Sequence, residues 1–322
     1  MTLEADSIIA RRRLRRSLAV WRILAVLALV IGITGLLIAS DTSVGGLSKR
    51  ANHIARVKVD GLITGDEELL KLLEELQDAN QVRAVLVRID SPGGTTSGSE
   101  ALYGAIRRLA DNKPVVAVMD TVAASGGYIV ALAADHVVAR GNTITGSVGV
   151  LFQWAELREL LNTLGVNVET IKSGELKAEP SPFGPMSEKA RAVTEAMVQD
   201  SFRWFLDLVK ERRNLQPAQL QTVADGRVFT GRQALSQGLV DQIGGEEQAT
   251  EWLASSKGID KDLEILDWEP GGQLGASGLG VALVRAVLTG IGIPEGSWIA
   301  EKLLAPERLK IDGLISVWHP ET

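Results

Sequence analysis

The feature that most constrains this chain is the stretch Lys113–Tyr128, in which an apolar β-branched run meets a turn of small residues. Val115–Met119 is typical of a buried strand, and the alanine-rich segment Gly126–Ala134 favours a helix. Ser125 stands at the apex between them. Such a turn holds a serine hydroxyl forward and aims the next backbone N–H groups at whatever the hydroxyl attacks. An ordinary tight turn of an α/β protein has the same pattern, so this stretch alone leaves both possibilities open.

Strands and helices alternate on both sides of this stretch, which is the pattern of βαβ crossovers and a mostly parallel sheet. The chain has 322 residues and can bury a full core. We therefore predict an α/β fold. The predicted strands are Ile54–Val59, Val82–Ile89, Val115–Met119, His136–Ala139 and Val166–Ile171; the predicted helices are Asp66–Asp78, Ser97–Leu109, Gly126–Ala134, Arg158–Leu164 and Ser187–Arg213; and a last strand and helix begin in Asp225–Arg232.

The N-terminal segment predicts a membrane anchor. Arginines clustered within residues 1–22 precede Ile23–Ala39, which carries no charge and would span about 26 Å as a helix. Because arginine clusters stay on the cytoplasmic side, residues 1–22 are expected inside and everything after the linker 40–53 outside. A cleaved signal peptide is the alternative. The apolar stretch is longer than usual for one, and Leu37–Ser40 is a poor cleavage site.

Beyond the anchor we predict one α/β domain over residues 54–250 and a C-terminal extension, 251–322, of unknown role. The extension contains Gly271–Gly292, which is rich in glycine and aliphatic residues and has Arg285 near its middle. A second membrane span would fit the hydropathy. The central arginine and the many glycines favour an amphipathic or interface helix instead.

Composition excludes several kinds of site. The chain has no cysteine, which rules out disulfides, thiolate metal sites and cysteine nucleophiles. Its formal net charge of −6 argues against nucleic-acid binding. The chain has only three histidines, and one of them, His136, lies in an apolar run. Few histidines are therefore available for a Ser-His-Asp mechanism, and a lysine is the better candidate for a base. We see no metal cluster and no nucleotide-binding loop, and therefore expect no cofactor.

Three pieces of the sequence suit acyl chemistry. Ser125 is followed by Gly126 and Gly127, which keep its surroundings open and supply an N–H donor. Ser91–Gly94 follows a parallel strand, at the end where α/β sheets bind ligands, and its glycines let the backbone approach a ligand. Two such N–H groups would form an oxyanion hole, in which each donor contributes roughly 3–4 kcal/mol to transition-state stabilisation.

The third piece is Lys177, in a segment that also contains Lys172. A lysine can deprotonate a serine only when it is neutral, which requires a desolvated setting without a nearby carboxylate. Glu175 and Glu179 flank Lys177, and either would favour its charged form if it turned inward. From the residues alone, Lys177 is scarcely favoured over Lys172.

Five motifs in this order resemble the signal peptide peptidase A family of bacterial membrane serine proteases, in its short, single-unit form. The resemblance covers Ile54 to Gly245 and implies the Clp protease/crotonase fold, an α/β fold of repeated βαβ units, here with an N-terminal transmembrane helix. The motifs are Asp90–Gly94, Ala123–Tyr128, Ile144–Val150, Lys172–Phe183 and Gly226–Arg232.

By this resemblance, Ser125 is the nucleophile and Lys177 the general base of a Ser-Lys dyad. Ser147 is similar to the hydroxyl residue that hydrogen-bonds the base, and Gly93 or Gly94, together with Gly126, would supply the oxyanion-hole N–H groups. The resemblance also implies a homo-oligomer in the bacterial cytoplasmic membrane, with its catalytic domain outside. Its substrates would be remnant signal peptides and other short apolar peptides. The acidic neighbours of Lys177 are the main departure from the family pattern.

Two other functions are compatible with the same scaffold. An acyl-CoA hydratase or isomerase would use a similar oxyanion hole, although such enzymes usually rely on carboxylates, and export would separate the domain from cytoplasmic acyl-CoA. A catalytically silent membrane scaffold would not need the serine, the lysine and the supporting serine that this chain retains. The sequence therefore favours the peptidase.

Overall fold

The computed structural model describes residues 51–270 and the backbone of one further strand near the C-terminus. The predicted anchor Ile23–Ala39 and the segment Gly271–Gly292 lie outside the described residues. The elements, in chain order, are β1 (His53–Ile63), α1 (Glu67–Asp78), β2 (Val82–Thr95), α2 (Thr96–Ala110), β3 (Val115–Ala124), α3 (Gly126–Leu132), β4 (His136–Ala139), β5 (Ile144–Gly146), α4 (Arg158–Thr163), α5 (Glu188–Arg213), α6 (Pro217–Val223), β6 (Val228–Thr230), α7 (Gly231–Ser236), β7 (Gln242–Ile243), α8 (Glu246–Lys257), β8 (Ile265–Trp268) and β9 (Ile315–Val317).

The described strands form one mixed sheet, with the path β6-β5-β3-β2-β1-β8. β4 joins it beside β3 and carries β7, and β9 joins it beside β2. The pairs β1–β2, β2–β3, β3–β4 and β1–β8 are parallel, whereas β5–β6 and β2–β9 are antiparallel. The α/β prediction is confirmed in this form, as a mixed sheet consistent with a Clp/crotonase-like peptidase.

Both faces of the central strands are buried, which explains their nearly continuous apolar sequences. In β2, Val85, Val87 and Ile89 pack into the larger core with α1, α2 and α3. Leu86 faces the other side, where Leu253 of α8 covers it. The sheet is thus held between helices, and the C-terminal ends of β2 and β3 remain together at one edge.

Two features differ from the sequence predictions. Val166–Ile171 is not a strand, and its apolar side chains are exposed, with Ile171 fully so. Its alternating pattern finds no partner strand among the described residues. The domain end predicted at residue 250 falls inside α8, and β8 then pairs with β1, so the sheet continues to Trp268.

The helices found between residues 51 and 270 are all too short or too polar to cross a membrane.

Candidate active site

Ser125 occupies a strained turn between β3 and α3. Its backbone has φ 55° and ψ −116°, a conformation that residues other than glycine rarely adopt. The Ser125 N–H donates to the Gly146 carbonyl at 2.8 Å, and the Ser125 carbonyl accepts from the Tyr128 N–H at 2.9 Å and the Ile129 N–H at 3.0 Å. Ser125 is buried, and its side chain does not cap the helix. The backbone on both sides of Ser125 is therefore fixed by the fold.

Ser147 lies beside this turn. Ala124 of β3 pairs with Gly146 of β5, and Ser147 is the next residue along the chain. Ser147 also has a left-handed backbone, with φ 51°, and its N–H donates to the Arg227 carbonyl at 2.8 Å. The structure thus places the backbones of Ser125 and Ser147 next to each other, each one residue after the paired Ala124 and Gly146.

Polar side chains brace β3 just before the turn. The Thr145 hydroxyl donates to the Ala123 carbonyl at 2.7 Å, and the Asp90 carboxylate accepts from the Val122 N–H at 3.0 Å. Thr145 is fully buried. These two hydrogen bonds link β3 to β5 and to β2 just before the turn that contains Ser125.

The glycines following Ser125 permit a close approach of α3 to β2. A Cβ at Gly127 would lie 2.6 Å from the Ser91 carbonyl oxygen, which leaves no room for a side chain. Ser91 itself pairs with Ala123 of β3. The first turn of α3 therefore packs directly on the strand that carries Gly93 and Gly94.

The two predicted oxyanion glycines of β2 are in different situations. Gly93 has φ 111°, and its N–H donates to the Ser91 hydroxyl oxygen at 3.1 Å, within its own turn. Gly94 pairs with Ile63 of β1, and a Cβ there would overlap the Ile63 backbone. Both residues follow Ser91, which packs against the start of α3, but the Gly93 N–H is already used by Ser91.

Lys177 lies in a segment, residues 151–186, that is mostly exposed. Its backbone N–H donates to the Gly174 carbonyl at 3.1 Å, and its side chain is exposed to solvent. Within the described part of this one chain, the Lys177 side chain is not brought into hydrogen-bonding contact with Ser125 or Ser147.

Both acidic neighbours of Lys177 are paired with other lysines. Lys172 forms an ion pair with Glu179, and Lys189 pairs with Glu175 at 2.8 Å. The hydrogen bond from Lys172 lowers the pKa of Glu179 below its ordinary value. The carboxylates that the sequence placed beside Lys177 are thus neutralised by other cations.

A feature not found from the sequence is the strand β9. β1 pairs with one edge of β2 as far as Gly94. β3 pairs with the other edge only as far as Ser91, which lies opposite Ala123. β9 takes the remaining length of that second edge, antiparallel to Gly93–Thr95, and contacts α3. The only signal for it in the sequence is a short β-branched pattern, Ile315–Val317, within the C-terminal extension of unknown role.

No group of three or more histidine, aspartate or glutamate side chains that could hold a metal ion occurs within the described ranges.

Comparison with known proteins gives consistent matches. Residues 107–260, which include Ser125, Ser147 and Lys177, match Peptidase family S49. A candidate protease of Synechocystis sp. is 39% identical over 216 residues, covering 66% of this chain and 78% of that protein. The chloroplastic serine protease SPPA of Arabidopsis thaliana is 38% identical over 187 residues, covering 57% of this chain and 27% of that protein. A candidate signal peptide peptidase SppA of Enterococcus faecium is 31% identical over 246 residues, covering 72% of this chain and 71% of that protein.

Proposed function

This chain belongs to peptidase family S49 and is a serine peptidase, and from this premise we propose that Ser125 is its nucleophile and Lys177 its general base. The observation that carries the proposal is the strained backbone of Ser125, buried beside Ser147 and the glycines of β2. A strained residue at the mouth of a parallel sheet is where function is expected. We further propose that the enzyme is a membrane-anchored endopeptidase that degrades remnant signal peptides.

The reaction proceeds in two steps. The Ser125 Oγ attacks the peptide carbonyl carbon while its proton passes to the neutral amine of Lys177. The tetrahedral intermediate collapses, the C–N bond breaks, and the Lys177 ammonium protonates the leaving amine. Water then gives a proton to Lys177 and attacks the acyl-enzyme, and the collapse of the second intermediate returns the proton to Ser125 and releases the acid.

Gly126 and Gly94 are the proposed oxyanion donors. Gly126 is the first residue of α3, so its N–H has no acceptor within the helix. Gly94 is preferred over Gly93 because the Gly93 N–H already donates to the Ser91 hydroxyl. Removal of one such donor typically lowers kcat by about 10²–10³-fold.

Peptide substrates would bind as an added strand on the edge of β2 that β9 occupies in this chain, taking the place of β9. The pairing of β9 with Gly93–Thr95 supports this mode, because it puts a peptide backbone of this same chain along that edge. Recognition through backbone hydrogen bonds suits short apolar peptides, whose side chains offer few polar groups. Remnant signal peptides have this character, and their apolar cores lie in the membrane next to an anchored enzyme.

The exposed segment 151–186 supports a homo-oligomer in which a second copy completes the site. Its exposed apolar side chains include Leu157, Leu160, Leu164 and Ile171. Such a concentration of apolar surface is typical of an interface. Lys177 lies in this segment, and a general base must be shielded from water to be neutral. Docking of the segment on a neighbouring copy would bury Lys177 and bring it to the neighbour's Ser125 and Ser147.

The proposed topology rests on the sequence of residues 1–40. The arginines before Ile23–Ala39 would keep the N-terminus in the cytoplasm and send the peptidase domain outside. Released signal peptides would then reach the site from the membrane beside it.

The experiment that tests the proposal is fluorophosphonate labelling of the full-length protein in detergent, together with cleavage of a synthetic signal peptide. We expect both activities in the wild type and neither in Ser125→Ala. Peptide cleavage that survives in Ser125→Ala would contradict the assignment of the nucleophile. Cleavage of soluble polar peptides in preference to the signal peptide would contradict the substrate class.

A further inference from the structure

Ser91 sits at a break in the pairing of β1 with β2. Asp60 pairs with Asp90, but the next pair along is Leu62 with Gly93, so that Gly61 alone faces Ser91 and Pro92. This is the arrangement of a β-bulge, in which the regular ladder of backbone hydrogen bonds is interrupted. Bulges are common next to active sites, where they change the direction of a strand. Here the bulge immediately precedes Gly93 and Gly94.

The Ser91 side chain replaces the missing backbone bonds. Its hydroxyl donates to the Gly61 carbonyl at 2.6 Å and accepts from the Gly93 N–H at 3.1 Å. Ser91 is fully buried, and so is its hydrogen bond with the Gly93 N–H, whereas Gly61 at the other end of the bridge is exposed. One hydroxyl therefore connects Gly61 of β1, opposite the bulge, to the turn of β2 that leads into Gly94.

The backbone of Ser91 also contacts β3 and α3. It pairs with Ala123 of β3, and its carbonyl oxygen lies against Gly127 at the start of α3. Ser91 thus contacts β1, β3 and α3, the three elements that surround the candidate oxyanion hole. A shift of Ser91 would change the position of Gly94 relative to Ser125.

We propose that Ser91 is a positioning residue that sets the Gly93–Gly94 backbone in register with Ser125, an inference that rests on the proposed function. Without the hydroxyl, the Gly61 carbonyl and the Gly93 N–H lose their buried partner, and the bulge is free to adjust. The Gly94 N–H then no longer points at the oxyanion. Because the oxyanion exists only in the transition state, the loss falls on kcat rather than on KM.

The test compares Ser91→Ala with Ser99→Ala in the full-length protein. Ser99 is also fully buried, and its hydroxyl donates at 3.0 Å to the carbonyl of Thr95, the N-cap residue of α2, so it controls for the loss of a buried serine hydroxyl. For Ser91→Ala we expect kcat for a signal peptide to fall by about 10–100-fold with KM within about twofold. A peptide boronic acid, whose adduct with Ser125 is tetrahedral, should lose affinity in parallel with kcat. For Ser99→Ala we expect kcat and boronate affinity within about twofold of the wild type.

Ser91→Cys is the second variant, because it keeps a group of similar shape with weaker hydrogen bonding. Its kcat should lie between those of the wild type and Ser91→Ala, and thermal unfolding checks that each variant is folded. The proposal is overturned if Ser91→Ala keeps kcat within about twofold, or if Ser99→Ala loses as much. It is also overturned if boronate affinity stays unchanged while kcat falls. A failure of the proposed function itself would be recognised separately, because the Ser125→Ala variant would then still cleave the signal peptide.

Discussion

Lys172 and Glu179 form an ion pair, in which the lysine Nζ donates a hydrogen bond to the carboxylate of Glu179. Both side chains are largely shielded from solvent. The pair removes Lys172 from the candidates for a general base, because its amino group is bound to Glu179 within the segment 151–186 and not to a group at the Ser125 turn. It also occupies one of the two carboxylates that flank Lys177. The second, Glu175, is bound by Lys189.

The first prediction separates the two lysines. Lys177→Ala should lower the rate of fluorophosphonate labelling of Ser125 by about 10²–10⁴-fold, because a general base contributes in that range. Lys172→Ala should keep labelling within about tenfold of the wild type, since it removes only a partner of Glu179. Rates are measured by gel fluorescence across pH 6–10. Labelling lost in Lys172→Ala and kept in Lys177→Ala would reverse the assignment.

The second prediction concerns which chain supplies the base. If Lys177 acts on Ser125 of a neighbouring copy, co-expressed Ser125→Ala and Lys177→Ala chains form some sites with both groups. In a ring with random mixing, about one quarter of the sites are complete, so peptide cleavage should approach a quarter of the wild-type rate. Ser125→Ala co-expressed with the double variant is the control and should be inactive. A mixture no more active than its separate components would place both groups in one chain.

The third prediction concerns the C-terminal strand. Ser316 pairs with Gly94 in the antiparallel β2–β9 ladder. Ser316→Pro removes the backbone N–H and should weaken β9, which shares the β2 edge with the proposed substrate. We expect KM for added peptides to fall by about two- to tenfold, the equivalent of about one net hydrogen bond, with kcat unchanged. Ser316→Ala keeps the N–H and is the matched control. Equal KM values for the two variants would exclude competition by β9.

The fourth prediction concerns the pH dependence of stability. Arg213 donates to both Asp241 oxygens, at 2.7 and 3.0 Å, and the Val137 N–H donates at 2.8 Å. Burial raises the pKa of Asp241, but these bonds lower it by more, so the pKa lies below its ordinary value. A lowered carboxyl pKa stabilises the fold fully above the pKa of the unfolded chain, about 3.9, and this stabilisation is lost as pH falls through the folded pKa.

Asp241→Asn should therefore lower the free energy of unfolding by about 1–3 kcal/mol at pH 7. The difference from the wild type should shrink as the pH falls below about 4. Urea denaturation at several pH values measures this dependence. Asp200→Asn is the control, because Asp200 forms an exposed ion pair with Arg203 on the surface of α5. A difference that stays constant over the whole pH range would show that the carboxylate charge is not responsible.

Much of the architecture follows from local sequence patterns. The helix after Gly126 and the long helix ending at Arg213 were predicted close to their observed bounds, and the strand at Val115 was predicted from its first residue but runs on to Ala124 instead of ending at Met119. Each depends on periodicity or on the small residues of one turn, which act over a few neighbouring positions. The segment Val166–Ile171 was predicted wrongly because a strand needs a partner, and the alternation of its residues carries no information about one.

The sequence by itself determined the α/β class, the Ser125 turn and the family to which the chain is similar, because these depend on residues close together along the chain. Only the tertiary structure decided which carboxylate each lysine binds, that Ser91 bridges Gly61 and Gly93, and that β9 lies along Gly93–Thr95. The β9 pairing and the Ser91 bridge join strands, and their partners are chosen by how the strands register and where an edge is left open. The lysine ion pairs depend on how the segment 151–186 folds back on itself and onto α5. No local sequence pattern encodes either.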